Sequence, residues 1–244
     1  MMDTMLAIAT AVLTDAIRRK VVWVVVIFAA ILSFVAPSLP SYGAGVVGSV
    51  YREVAISLLF AAALVVTLGL ASTRIPAETE RRTVYNILSR DVRRWQYLVG
   101  TWLGLCGVVG AVIAAFTVVA VAVGGIAYRE TMWILFEAAF AVWLEMGVIA
   151  AITILLSARF GPVTNVVGAL TFVFAGHSVG GLIGGVHGEP PWWLPSLDVF
   201  NVIAPVAHGS GYGIGYAAGM VGAFGALSGL LLLGATALFE RRDL

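Results

Sequence analysis

Charged side chains are scarce in this 244-residue chain, at 11% against 61% hydrophobic residues, and mean hydropathy is +1.01. A soluble domain of this length carries about 25% charged residues, and its polar surface keeps it in solution. This chain has too little polar surface for that, so lipid must be the solvent for most of it. The formal net charge of +1 gives no argument for nucleic acid, and no nucleic-acid partner is expected. In a membrane chain the sign of charge matters by location.

Cysteine is nearly absent as well. Cys106 stands alone inside an apolar run, which excludes an intrachain disulfide. There is no Gly-x-x-x-x-Gly-Lys-Ser/Thr stretch, hence no phosphate cradle of the Walker type. No dinucleotide fingerprint, cysteine pair or Ser/His/Asp arrangement stands in a credible context, which argues against an enzyme. A cleavable signal peptide is not expected either. The first apolar stretch is preceded by "DAIRRK" and followed by "FVAPSLPSYG", without an Ala-x-Ala-like site.

What the chain has in abundance is long apolar runs. About 20 apolar residues cross the hydrocarbon core as a helix, and six runs qualify: 17–36, 54–73, 96–126, 131–157, 162–186 and 212–239. In the first, only Val21 to Ala36 is free of charge, about 24 Å of helix. Flanking Arg18, Arg19 and Lys20 can extend it by snorkelling. Six spans put both termini on one side, with the 74–95 and 158–161 loops. That side holds Arg18, Arg19, Lys20, Arg74, Arg81, Arg82, Arg90, Arg93, Arg94, Arg159, Arg241 and Arg242, whereas the other has only Arg52 and Arg129. The basic excess makes it the cytoplasmic side. Ahead of the first span, Leu6, Ala9, Leu13 and Ile17 form an apolar stripe that fits a helix lying in the interface over residues 1–20. The expected fold is therefore all-α, with six transmembrane helices in a single domain, 1–244.

"IPAETERRTVYNILSRDVRRWQYLVG", Ile75 to Gly100, breaks the apolar pattern with Arg81, Arg82, Arg90, Arg93 and Arg94 and the acids Glu78, Glu80 and Asp91. Val84, Ile87 and Leu88 fall at i, i+3 and i+4, beside Tyr85, so a short helix with one apolar face is predicted. Ser89 can cap a second helix, with Asp91 in its first turn near the positive end of the dipole. That helix would run through Trp95 and Tyr97, suited to the interfacial belt, into the third span. Arginines alone would serve topology and headgroup binding. They give no reason for the Val84/Ile87/Leu88 face, which looks built to dock into a partner.

The stretch "AETERRTVYNILSRDVRRWQYLVGTWLG" resembles the signature between the second and third spans of type 2 ABC transporter permeases. That signature runs roughly Glu-x-Glu-x-Gly-Thr, Leu-Leu-Ser-x-Pro-x-x-Arg, then Gly-Lys-x-x-Gly. The matches are Glu78, Glu80, Thr83, Leu88, Ser89, Arg93, Gly100 and Gly104; Arg82, Asp91 and Thr101 depart from it. The closing "LFERRDL", the interfacial elbow helix and the six-span layout are similar too, so the likeness covers the whole chain. It implies a coupling helix in the 74–95 loop, with Glu78, Glu80, Thr83, Val84, Ile87, Leu88 and Arg93 at the joint. The implied partners are an ABC ATPase subunit, a second permease copy or homologous permease, and membrane lipids. ATP and magnesium would belong to the ATPase, and this chain would need no cofactor. The implied location is a bacterial or archaeal cytoplasmic membrane.

Three other features invite function. Glu137 and Glu145 lie in the fourth apolar run, about 80° and 12 Å apart on a helix. Carboxylates at membrane depth are expensive and face a bundle interior or water. They are candidates for a polar pathway lining or a proton site, against an interfacial Glu137 and a structural Glu145. His177, His187 and His208 gather toward the extracytoplasmic end of the last two spans, near Glu189 and Asp198, and could bind copper or zinc, although their spacing matches no compact ligand motif. Residues 187–211, with four prolines and Trp192–Trp193, read as a re-entrant or interfacial segment, or equally as an aromatic anchor belt. Gly176, Gly180, Gly184, Gly215, Gly219, Gly222 and Gly229 have close-packing spacing, expected to serve contacts within the chain.

The expected function is thus an exporter's permease subunit. An apolar interior suits lipid-like or amphipathic substrates. Two alternatives stay open: a permease-like subunit for extracytoplasmic copper-enzyme maturation or mechanical transmission, and a non-ABC intramembrane enzyme or carrier.

Overall fold

The structure, a computed structural model, describes residues 2–18, 20–42, 46–80, 93–187 and 196–240, with side chains at 5–16, 20–39, 46–77, 93–178 and 196–240. The helices are α1 (Met2–Arg18), α2 (Val22–Val35), α3 (Val47–Glu80), α4 (Arg94–Tyr128), α5 (Leu135–Ser157), α6 (Pro162–His187), α7 (Ile203–Ala207) and α8 (Ile214–Glu240). Tight 3-10 turns follow α2 (Ala36–Tyr42) and precede α7 (Asp198–Phe200). No strand occurs among the described residues.

Five of these helices are long and apolar enough to cross a membrane: α2 with its continuation to Leu39, α3 over Val47–Ala77, α4, α5 and α8. The chain is a multi-pass integral membrane protein. The remaining expected run, 162–186, falls on α6, a helix of 26 residues whose side chains are described only to Ser178.

The first expected run, 17–36, is divided. Lys20 adopts φ +58°, a left-handed backbone that ends α1 and lets α2 start afresh at Val22. The buried face of α1 also differs from the predicted stripe. Val12 and Ala16 are buried while Leu6 and Leu13 are exposed. Both faces of α1 are apolar, and the one that packs is chosen by α4. An added Cβ at Gly100 would meet Ile8 and the Met5 carbonyl, and one at Gly104 would meet Val12 and Ala9. Successive turns of α1 thus seat on successive glycine gaps of α4.

α5 is the hub of the bundle. It carries Ala138, Ala139, Ala141, Gly147, Ala150 and Ala151, all buried, so neighbours close in from every side. The Trp102 indole N–H on α4 donates to the Gly147 carbonyl at 2.8 Å, and Trp143 on α5 returns a bond to the Cys106 carbonyl at 2.9 Å. Both rings stack near Phe224 of α8. Against the expectation of intramolecular packing, a Cβ at Gly215, Gly219, Gly222 or Gly229 would meet nothing within 4 Å among the described residues. The reason is orientation: α8 faces the bundle with Met220, Ser228, Leu232, Ala235 and Phe239, and its glycines lie off that stripe.

Polar contacts gather at the two ends of the bundle. At one end Arg74 pairs with Asp15 at 3.7 Å, and the Arg94 guanidinium donates to the Phe239 and Glu240 carbonyls at 2.7 and 3.0 Å. Those carbonyls are the orphan acceptors that every helix C-terminus leaves. At the other end Arg52 pairs with Glu130 at 3.6 Å and donates to the Ala207 carbonyl at 2.9 Å. The Tyr128 hydroxyl donates to the Ala36 carbonyl there. The helix expected to run on from Ser89 instead begins at Arg94. Arg93 is extended, with ψ 145°, and its N–H is taken by the Gln96 side chain at 2.9 Å.

Candidate functional site

Glu145 sits in the middle of the hub helix and is only 2% exposed. Its Oε1 lies 2.7 Å from His177 Nε2 on α6. The other imidazole nitrogen, Nδ1, lies 3.7 Å from Asp198 Oδ1, an ion-pair distance too long for a direct hydrogen bond. The histidine therefore stands between two carboxylates. Phe60 of α3 meets the imidazole edge-on, with centroids 6.0 Å apart.

Local sequence explains why Asp198 reaches this spot. Gly176 directly precedes His177, and a Cβ there would lie 2.7 Å from Leu197 Cγ. The missing side chain admits Leu197, whose N–H donates to the Gly176 carbonyl at 3.1 Å. Position 198 then falls beside position 177. Ser196 shapes the turn: its hydroxyl accepts from the Asp198 N–H at 3.2 Å and donates to Oδ2 at 3.3 Å. On the far side, the Tyr216 hydroxyl donates to the Val199 carbonyl at 2.8 Å and ties the turn to α8.

The three groups border a cavity of about 260 Å³, walled by Ile56, Phe60, Val142, Phe200, Val202 and Ile203. Apolar walls with a few convergent polar groups are the usual make-up of a small-molecule site. Chemically, the trio can hold a shared proton or face a cation. Among the described residues, no three His, Cys, Asp or Glu side chains are arranged to hold a metal ion; Glu145 and His177 already occupy one another.

The other candidates are dispersed. Glu137 lies in the first turn of α5, where its Oε2 accepts the Tyr212 N–H at 3.1 Å and its carbonyl accepts the Tyr212 hydroxyl at 2.7 Å. Gly211, at φ +62°, presses on the same carboxylate, where a Cβ would lie 2.6 Å from Oε2. Burial, with Glu137 adding to it, pushes the Tyr212 phenol up to about 12. Glu137 is a latch between α5 and the 208–213 loop and does not join Glu145. His208 is exposed on the turn after α7, and the side chain of His187 lies outside the described residues. At the predicted coupling joint, Glu78 and Glu80 occupy the last turn of α3 without described side chains. Thr83, Val84, Ile87 and Leu88 lie outside the described residues, and Arg93 is exposed at the start of α4.

Sequence reasoning had Glu145 and His177 in separate sites and placed Asp198 near His177 only as part of a possible metal site. The available signal was Gly176–His177, a gap followed by a polar group in an apolar helix, but nothing in it named the partner. Compared with known proteins, the sequence matches no family model and no curated protein.

Proposed function

We propose that this chain is the membrane-spanning subunit of a type 2 ABC transporter, exporting a lipid-like or amphipathic substrate. The observation that carries the reading is the segment Glu78 to Gly104, with its acidic start, apolar Val84/Ile87/Leu88 face and arginine-rich flank between two spans. In this reading α6 is the fifth of six spans, and the end of the bundle marked by Arg74 and Arg94 faces the cytoplasm. A separate ATPase subunit binds ATP and magnesium, and a second permease copy or homologue completes the pathway. Closure of the ATPase pair pushes on residues 79–88 and rocks the helices that flank them.

The arrangement of α3, α4 and α8 supports this. The cytoplasmic ends of α4 and α8 are bonded through Arg94, and α1 is tied to α3 through Asp15 and Arg74. Force applied between Glu80 and Arg93 would reach four helices through direct contacts. The copper-maturation alternative is less favoured, because both nitrogens of His177 face carboxylates.

The test is affinity purification of the tagged protein from its native membranes in mild detergent, comparing wild type with the double variant Ile87→Asp/Leu88→Asp. A stoichiometric Walker-motif ATPase with wild type, lost in the variant, is expected. Absence of any ATPase from the wild-type preparation would refute the reading.

A further inference from the structure

The cavity beside Glu145 brings two carboxylates, Glu145 and Asp198, against a single imidazole, His177. One imidazole can offset at most one carboxylate. Among the described residues, His177 is the only cationic partner of either carboxylate. Arg52 is engaged with Glu130 and the Ala207 carbonyl. Glu145 Oε2 has no hydrogen-bond partner among the described residues, although the side chain is 97% buried and borders the cavity. A carboxylate ionised at membrane depth is costly, and either a proton or a counter-charge relieves it.

The walls add a second constraint. Phe60 and Phe200 line the cavity together with Ile56, Val142, Val202 and Ile203, and Asn201 is its one further polar residue. Aromatic faces attract quaternary and primary ammonium groups, and do so more strongly when these are desolvated. Aliphatic walls favour an apolar body attached to that head. A hydrated inorganic cation would meet few oxygens here, and no metal-holding group exists among the described residues. The volume of about 260 Å³ accommodates a small substituted ammonium ion.

We infer that this cavity binds the ammonium head of an amphipathic organic cation, with Glu145 and Asp198 as counter-charges and Phe60 and Phe200 as aromatic walls. His177 holds the two carboxylates apart, one deep and one near the mouth. Assigning such a cation as transported cargo rests on the transporter reading; the binding itself does not.

The experiment uses the full chain in uncharged maltoside micelles, without any ATPase, and titrates benzyltrimethylammonium by calorimetry. One saturable site per chain is expected, with benzyl alcohol, the uncharged aromatic control, at least tenfold weaker. Asp198→Asn, at the part-exposed mouth, should weaken the cation at least tenfold and leave the helical content unchanged. Glu145→Gln, which keeps an oxygen acceptor toward His177, should do the same. If that buried variant does not fold, the Asp198→Asn result decides alone. The inference is overturned if no saturable binding occurs at millimolar cation, if benzyl alcohol binds as well, or if Asp198→Asn binds like wild type. Its failure would leave the ATPase association untouched, and loss of the ATPase would leave cation binding untouched.

Discussion

Replacing Gly104 by alanine should loosen α1 from the bundle, while the same change at Gly107 should not. A Cβ at Gly104 would stand 2.6 Å from Val12 Cβ and 3.0 Å from Ala9 Cα. Ordinary carbon contacts lie at about 3.5–4.0 Å, and both neighbours are stiff parts of α1, so the helix must retreat by roughly 1 Å. Overpacking of this kind costs about 1–3 kcal/mol. Alanine in place of glycine within a helix recovers about 1 kcal/mol. At Gly107, three residues along α4, a Cβ would meet nothing within 4 Å among the described residues, so only the helix gain remains. Gly107→Ala should therefore be more stable than Gly104→Ala by about 1–3 kcal/mol. Reversible unfolding in mixed maltoside and dodecyl sulfate micelles, followed by tryptophan fluorescence, measures the difference. Equal stabilities would refute the seating of α1 on α4 through these gaps.

Three further outcomes follow from the same geometry. His177→Leu should destabilise the fold by about 3–5 kcal/mol, because it strands a buried carboxylate, and adding Glu145→Leu should restore much of that loss in the same unfolding assay. Tyr212 has its phenol raised from 10 to about 12 in the folded chain, so the unfolded state loses its proton first. Stability from this group is complete below pH 10 and lost as pH rises toward 12; unfolding midpoints at pH 9 and 11 should differ less in Tyr212→Phe than in wild type. Arg52→Met removes the bond to the Ala207 carbonyl and the pair with Glu130, and hydrogen exchange should quicken in α7 while α4 and α5 keep their protection.

The solvent and the helical segments were legible in the sequence because each depends on sums along the chain. Runs such as 96–126 and 131–157 returned as α4 and α5 within a few residues at each end. Lys20 was harder to read. Its neighbours are apolar and basic without glycine or proline, so the break between α1 and α2 has no local signal. The packed face of α1 was hidden for a related reason: both faces are apolar, and the gaps at Gly100 and Gly104, almost a hundred residues away, select one of them. The role of Glu137 was half legible, since its place near a helix end was readable and its bonds to Tyr212 were not.

Composition and periodicity by themselves determined that this is a multi-pass membrane protein, where its long helices lie, and where its charged segment interrupts them. Those are properties of consecutive residues, and the cost of leaving polar backbone in lipid makes them nearly unavoidable. Only the tertiary structure decided that Glu145, His177 and Asp198 meet, across sequence separations of 32 and 21, through a glycine gap at position 176. Such a meeting depends on how closely two helices approach and which way a tight turn points. Packing between distant segments sets both, and no local pattern of side chains records it.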